Sequence, residues 1–187
     1  YDPLNETLHD YVGGEADLGQ GIVRAIGRPR DRMTEDKLRM LRAVRFTATL
    51  NFRLDPSTGE AVRDMANELL VVSWERIAQE LRKMLVDQHR ERATRLCHDL
   101  GLLEIVLPEL ADILAESGER RAESRESRAK SQEPSAISQP PSANRHWWHT
   151  LHILGNLDEP SFELAMAALL HMVPSPVDAF RKQDKAG

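Results

Sequence analysis

Between Thr34 and Leu50 the apolar residues recur at the spacing of a helix. Leu38, Leu41, Val44 and Ala48 fall on one side when successive residues are set about 100° apart. Glu35, Arg39, Arg42 and Phe46 fall on another, with Asp36 beside them. Thr34 reads as the N-cap of this helix, which places Glu35 and Asp36 in its first turn, where carboxylates interact well with the helix dipole. Arg45 lies inside the apolar stripe and is expected to be paired, because an unpaired buried charge is costly.

The same periodicity organises the residues downstream. Asp55-Pro56-Ser57-Thr58 starts a helix bearing Ala61, Val62, Met65 and Leu69. Ser73 caps another, from Trp74 to about Val86, with Ile77, Leu81, Met84 and Leu85 inward and Arg76, Glu80 and Lys83 outward. Residues 89–103 are helical through Ala93, Leu96, Cys97 and Leu100, closed by Gly101, and Pro108 breaks the apolar segment that follows. Upstream, Leu8–Val12 reads as a strand and Gly13-Gly14 as a turn. Asp17 is the expected N-cap of a helix bearing Leu18, Ile22, Val23 and Ile26, ended by Gly27, and residues 27–31 read as a loop.

Residues 116–145 hold Ser, Arg, Glu, Gln and Pro with almost no large apolar side chain, the pattern of a disordered linker. A second helical piece begins at His146, and Ser161 caps a helix bearing Leu164, Ala165, Ala168 and Leu169. Trp147 and Trp148, beside His149 and Leu151, are read as core or interface residues rather than base-stacking ones. The segment from Pro174 onward has no usable pattern.

Composition changes this picture only at its edges. The 187 residues suffice for one domain or two small ones, and the formal charge of −5 argues against non-specific coating of nucleic acid while leaving room for a local basic face. One cysteine, Cys97, excludes an internal disulfide framework and a multi-cysteine zinc site, and fits a reducing, cytoplasmic setting. No apolar run approaches the roughly 18 residues of a membrane span. The chain opens at Tyr1-Asp2-Pro3 with neither an initiator Met nor a signal-peptide pattern, and reads as the continuation of a longer protein.

The helix opened by Thr34 has side chains suited to reading a base. A carboxylate at Asp36 accepts a hydrogen bond from an exocyclic amine, and a guanidinium at Arg39 donates to a ring nitrogen or carbonyl. Cytosine and adenine present an amine beside an acceptor, whereas uracil and guanine present the reverse order. An Asp–Arg pair therefore favours C and A, each charge-assisted pairing being worth roughly 1–3 kcal/mol. Glu35, four residues before Arg39, is placed to fix that guanidinium, and Arg42 is within reach of a triphosphate. On spacing alone these charges read more readily as ordinary solvated helix pairs.

Glu35-Asp36-x-Leu38-Arg39-x-Leu41-Arg42-Ala43-x-Arg45-Phe46 resembles the ED-x-x-R block of bacterial tRNA nucleotidyltransferases (CCA-adding enzymes) and poly(A) polymerases, class II. Asp10-x-x-Gly13-Gly14-x-x-Asp17-Leu18 is similar to that family's connector between catalytic head and nucleotide-reading neck. Ser73-x-Glu75-Arg76-Ile77-x-x-Glu80-Leu81-x-Lys83 resembles the neck helix that buttresses it, and residues 101–110 resemble the segment that follows. The resemblance implies a mainly α chain. Residues 1–27 would be a small α/β remnant of the head, 28–115 the helical neck and body, and 146–187 a truncated, degenerate HD-like helical piece. It further implies that Asp36 and Arg39 act as an amino-acid template for CTP and ATP, with Glu35 orienting Arg39, Arg42 near the phosphates, and Arg45, Arg76 and Glu80 in support. Glu80 is expected to pair with Arg42 or Arg45, a solvated Glu80–Arg76 pair being the alternative.

The family's head holds Mg²⁺ through an Asp-x-Asp pair, and no Asp-x-Asp occurs in this chain, so the chain alone is expected to be inactive. The HD-like piece is likewise expected to bind no metal, because Met172 stands where a carboxylate should follow His171. His98-Asp99 is read as structural. The expected partners are the tRNA 3′ end or other RNA and nucleoside triphosphates. The expected function is a share in template-independent CCA addition. Poly(A) polymerase, a CC- or A-adding enzyme, and a non-catalytic RNA-binding module are the alternatives.

Overall fold

The computed structural model describes residues 9–110, 114 and 145–173, and its packing separates two units, one ending at Val106 and one beginning at Leu107. In the first unit α1 (Gly14–Gln20), α2 (Pro29–Glu35), α3 (Arg39–Thr49), α4 (Pro56–Met65), α5 (Trp74–Leu85), α6 (Arg90–Asp99) and α7 (Leu103–Val106) are joined by a short two-stranded sheet. Its strands β1 (Ile22–Val23) and β2 (Arg53–Leu54) run parallel, with Ile22 opposite Arg53 and Val23 opposite Leu54. The reading of a mainly helical chain holds.

Helix α3 is the centre of the unit. Its neighbours are α2, α5, α6 and both strands. Leu41 and Val44 are fully buried and Leu38 and Ala48 nearly so, which is the predicted apolar stripe, and Met40 is buried as well. Helix α5 buries Ile77, Leu81, Met84 and Leu85 as expected. It departs from expectation at Glu80, read as outward but only 2% exposed. Helix α4 is capped as the sequence implies: the Asp55 carboxylate accepts from the Thr58 backbone N–H at 3.0 Å, with Pro56 in the first turn. Ser73 takes the N-cap position of α5 through its extended backbone and makes no side-chain capping bond.

Several boundaries are corrected. Residues 28–31, read as loop, open α2: Pro29 occupies its first turn, where a missing N–H costs nothing. Thr34 is then inside α2, its hydroxyl donating to the Arg30 carbonyl, instead of capping α3. Glu35 is the last residue of α2 and Asp36 its extended C-cap, so both carboxylates sit at the negative end of a dipole and depend on cations nearby. Upstream, residues 9–12 form no strand, and α1 is opened by Gly13 and closed by Gly21, both with positive φ (78° and 65°). Asp17 is consequently within α1 rather than at its N-cap. The cap is supplied by Asp10, whose carboxylate accepts from the Val12 and Glu15 N–H groups. Those bonds and one from Gly14 hold it below the usual carboxylate range. Ile22 and Val23 leave the expected helix for β1, where their β-branched side chains suit a strand.

The second unit contains α8 (Arg145–Gly155) and α9 (Phe162–Leu170), which pack together. Trp147, Leu151, Leu154, Ala165 and Leu169 are buried, so the core reading holds for Trp147. Ser161 caps α9, accepting from the Leu164 N–H at 3.2 Å. Apart from Arg145, the linker expected over 116–145 lies outside the described residues, as does everything after residue 173.

Candidate nucleotide-binding site

A cavity of about 240 Å³ opens between the β1 exit, α2 and the exposed face of α3. Its walls carry four guanidinium groups, Arg24, Arg32, Arg39 and Arg42, and its apolar floor includes Ile26, Met33, Ala43 and Phe46. The volume is on the order of the smaller ligand pockets, near about 300 Å³. Arg39, Arg42 and Phe46 reach it together because they sit at i, i+3 and i+7 on one helix, the face anticipated from spacing.

Each cation is held by a specific partner. Glu35 bridges two of them: Arg32 donates to both its oxygens at 2.9 and 3.0 Å, and Arg39 lies 3.1 Å from Oε2. The predicted Glu35–Arg39 pair is therefore present, although it now spans the break between α2 and α3. Lys37 stabilises that break, its ammonium donating to the Thr34 carbonyl at 2.9 Å and lying 3.0 Å from Glu68. Arg24 is clamped by Asp17 at 2.9 Å and by Asp55 at 3.5 Å, and the Asp17 bond raises its already high pKa. Burial pushes Asp55 up, but hydrogen bonds from Ser57 and Thr58 and the charge of Arg24 outweigh it and leave its carboxyl below the ordinary value.

Asp36 lies beside the cavity and does not line it. Its Oδ1 accepts from the Leu38 N–H at 3.1 Å, fixing the turn into α3. Both oxygens accept from one Arg76 nitrogen at 3.2 Å, and Arg42 stands 3.9 Å away. The structure thus brings Asp36, Arg39 and Arg42 to one edge of the fold and shows Asp36 engaged by α5. Arg76, expected in support, thus engages Asp36 forty residues away along the chain, a pairing that the sequence did not show.

Below this edge Glu80 collects three cations: Arg45 at 2.7 Å, Lys83 at 3.1 Å and Arg42 at 3.7 Å. Both expected partners are present, with Arg45 the closer, while Arg76 turns to Asp36 instead. Burial works to raise the Glu80 pKa, yet the hydrogen bonds from Lys83 and Arg45 hold it below its ordinary value. The Arg45 guanidinium also lies 4.2 Å from the centre of the Phe46 ring, which ties the hub to the cavity floor.

Of Gly13, Gly14 and Asp17, the last two line a second hollow of about 400 Å³ behind β1 and Gly13 lines neither cavity. His98 pairs with Glu104 at 2.7 Å. In the second unit the rings of His149 and His171 stand 5.4 Å apart. Among the described residues no three His, Cys, Asp or Glu side chains group to hold a metal ion, so these residues do not fit a resident Mg²⁺. None of the described helices is long and apolar enough to cross a membrane.

The chain is similar to several known proteins. Residues 51–114 match the family described as "Probable RNA and SrmB- binding site of polymerase A". The chain is 36% identical over 118 residues to poly(A) polymerase I of Salmonella typhi, a stretch covering 63% of this chain and 25% of that protein. It is 43% identical over 95 residues to the CCA-adding enzyme of Bacillus subtilis, covering 51% of this chain and 24% of that one. Its fold resembles the crystal structure of the Bacillus stearothermophilus CCA-adding enzyme in complex with CTP, with a TM-score of 0.55 and 27% identity, covering 90% of this chain and 43% of that one. The chain spans about a quarter of the curated relatives it matches. Over these stretches the chain is similar to a partial region of bacterial CCA-adding enzymes and poly(A) polymerases.

Proposed function

We propose that this chain supplies the base-selecting edge and RNA-binding neck of a template-independent RNA nucleotidyltransferase that adds CCA to tRNA 3′ ends. The observation that carries the reading is the convergence of Arg39 and Arg42 on the arginine-lined cavity, with Asp36 at its rim. Arg39 donates to the ring acceptor of cytosine or adenine, and Asp36 accepts from the neighbouring amine once Arg76 yields part of its hold. Arg42 and the other guanidinium groups balance the negative charge of a triphosphate. The solved relative in complex with CTP supports this reading, as does the description of the family matched by residues 51–114. Arg42, Arg76 and Lys83, each substantially exposed, give the α3–α5 face a basic character suited to RNA phosphates. The chemical step is assigned to Mg²⁺-binding carboxylates that the described residues lack, and the setting to the cytoplasm.

Incubation of the protein expressed from its full reading frame with tRNA lacking its 3′ end, and with single nucleotides, tests this. Ordered incorporation of C and then A is expected. Long A tails would replace the reading by a poly(A) polymerase, and no incorporation by a non-catalytic RNA-binding module.

A further inference from the structure

We infer that Arg32, on α2, is a positioning residue for nucleotide selection and acts through Glu35 on Arg39; this rests on the base-reading role proposed for Arg39. The geometry is specific. Arg32 donates to both oxygens of Glu35, at 2.9 and 3.0 Å, and thereby sets the direction in which the carboxylate faces. Oε2 of that carboxylate then lies 3.1 Å from Arg39. Arg32 belongs to one helix and Arg39 to the next, with the extended Asp36 between them. Glu35 is thus the bridge across a break in the backbone, and without Arg32 its side chain is free to rotate about the end of α2.

Stability does not account for this arrangement. Arg32, Glu35 and Arg39 side chains are 37%, 47% and 39% exposed, and ion pairs at such exposure contribute little to folding. Charge does not account for it either. Two guanidinium groups share one carboxylate, so the cluster keeps a net positive charge facing the cavity that both arginines line. One Arg32 nitrogen held between both oxygens of Glu35, with a single contact from Arg39 on the other side, fixes an orientation, which a base-reading guanidinium needs and a solvated charge does not.

The test is binding of CTP, ATP and UTP to the 187-residue chain, followed by NMR titration at millimolar nucleotide. Wild type is expected to prefer CTP and ATP over UTP, and Arg39→Ala to lose that preference. Arg32→Ala is expected to reduce the preference by about threefold to tenfold, the coupling typical of side chains in contact. Arg32→Lys still offers one charged nitrogen to both oxygens and is expected to restore most of the preference. Adding Arg32→Ala to Glu35→Ala is expected to change nothing further. Arg30→Ala, which removes an α2 arginine paired with Asp64, is expected to bind as wild type. If Arg32→Ala kept the full preference while Arg39→Ala lost it, the positioning role would be wrong and the base-reading role would stand. If Arg39→Ala also kept it, the base-reading role itself would fail.

Discussion

Replacing Glu80 by glutamine preserves the volume of a side chain that is 2% exposed and removes its negative charge. Three cations then lose their common partner, of which Arg45, 19% exposed and 2.7 Å away, is the most deeply placed. Breaking a buried ion pair from one side costs about 3–5 kcal/mol, because the remaining charge is stranded. Arg45 retains some access to water and glutamine still offers one carbonyl oxygen, so we place the loss at about 2 kcal/mol. For a domain of about 100 residues this corresponds to a fall of roughly 8–16 °C in the thermal midpoint. The pH dependence carries the same signature. The folded-state pKa of Glu80 is lowered from its ordinary 4.5, so the unfolded chain binds the proton more tightly. The carboxylate's stabilisation is therefore present above about pH 4.5 and is lost as pH falls through the lower folded value. Thermal melts of wild type and Glu80→Gln from pH 7 to pH 3 should converge as acid is added. A Glu80→Gln midpoint within about 2 °C of wild type at pH 7, or a gap that widened in acid, would refute the hub.

Asp55→Ala should destabilise the first unit by about 1–2 kcal/mol in urea unfolding, since it removes the α4 cap and the second, longer ion pair of Arg24 together. Unchanged stability would show that the cap is dispensable. Cys97, fully buried and with its thiol pushed up to about 12, should resist alkylation at pH 8 until the unit unfolds, so labelling should follow the denaturation curve; fast labelling of native protein would contradict the packing around α6.

How far the sequence reached depended on the range of the interaction that decides each feature. The stripe on α3, the Asp55 cap of α4 and the Gly101 end of α6 are set by residues within a turn or two, and all were legible. Helix α2 was not, because Pro29 is a loop signal and a helix-start signal alike, and the choice rests on Met33 being buried beside α4. Thr34-Glu35 satisfied local capping rules, yet the actual break falls at Asp36, where Leu38, Lys37 and Arg76 supply the bonds. The burial of Glu80 and the Asp36–Arg76 contact join residues 35 and 40 positions apart along the chain. No local pattern encodes them. Of the site, the arginine face of α3 could be read directly, whereas the contributions of Arg24 and Arg32 to the cavity required the fold.

The most direct test of the base-selecting edge is nucleotide incorporation by the protein expressed from its full reading frame, comparing wild type with Asp36→Ala and Arg39→Ala. Each of CTP, ATP, UTP and GTP is offered singly with tRNA lacking its 3′ end. Loss of C and A selection over U and G by about 1–3 kcal/mol, or roughly 5- to 150-fold, is expected in both variants, with thermal midpoints little changed. Normal selection of C and A in both would contradict the assignment.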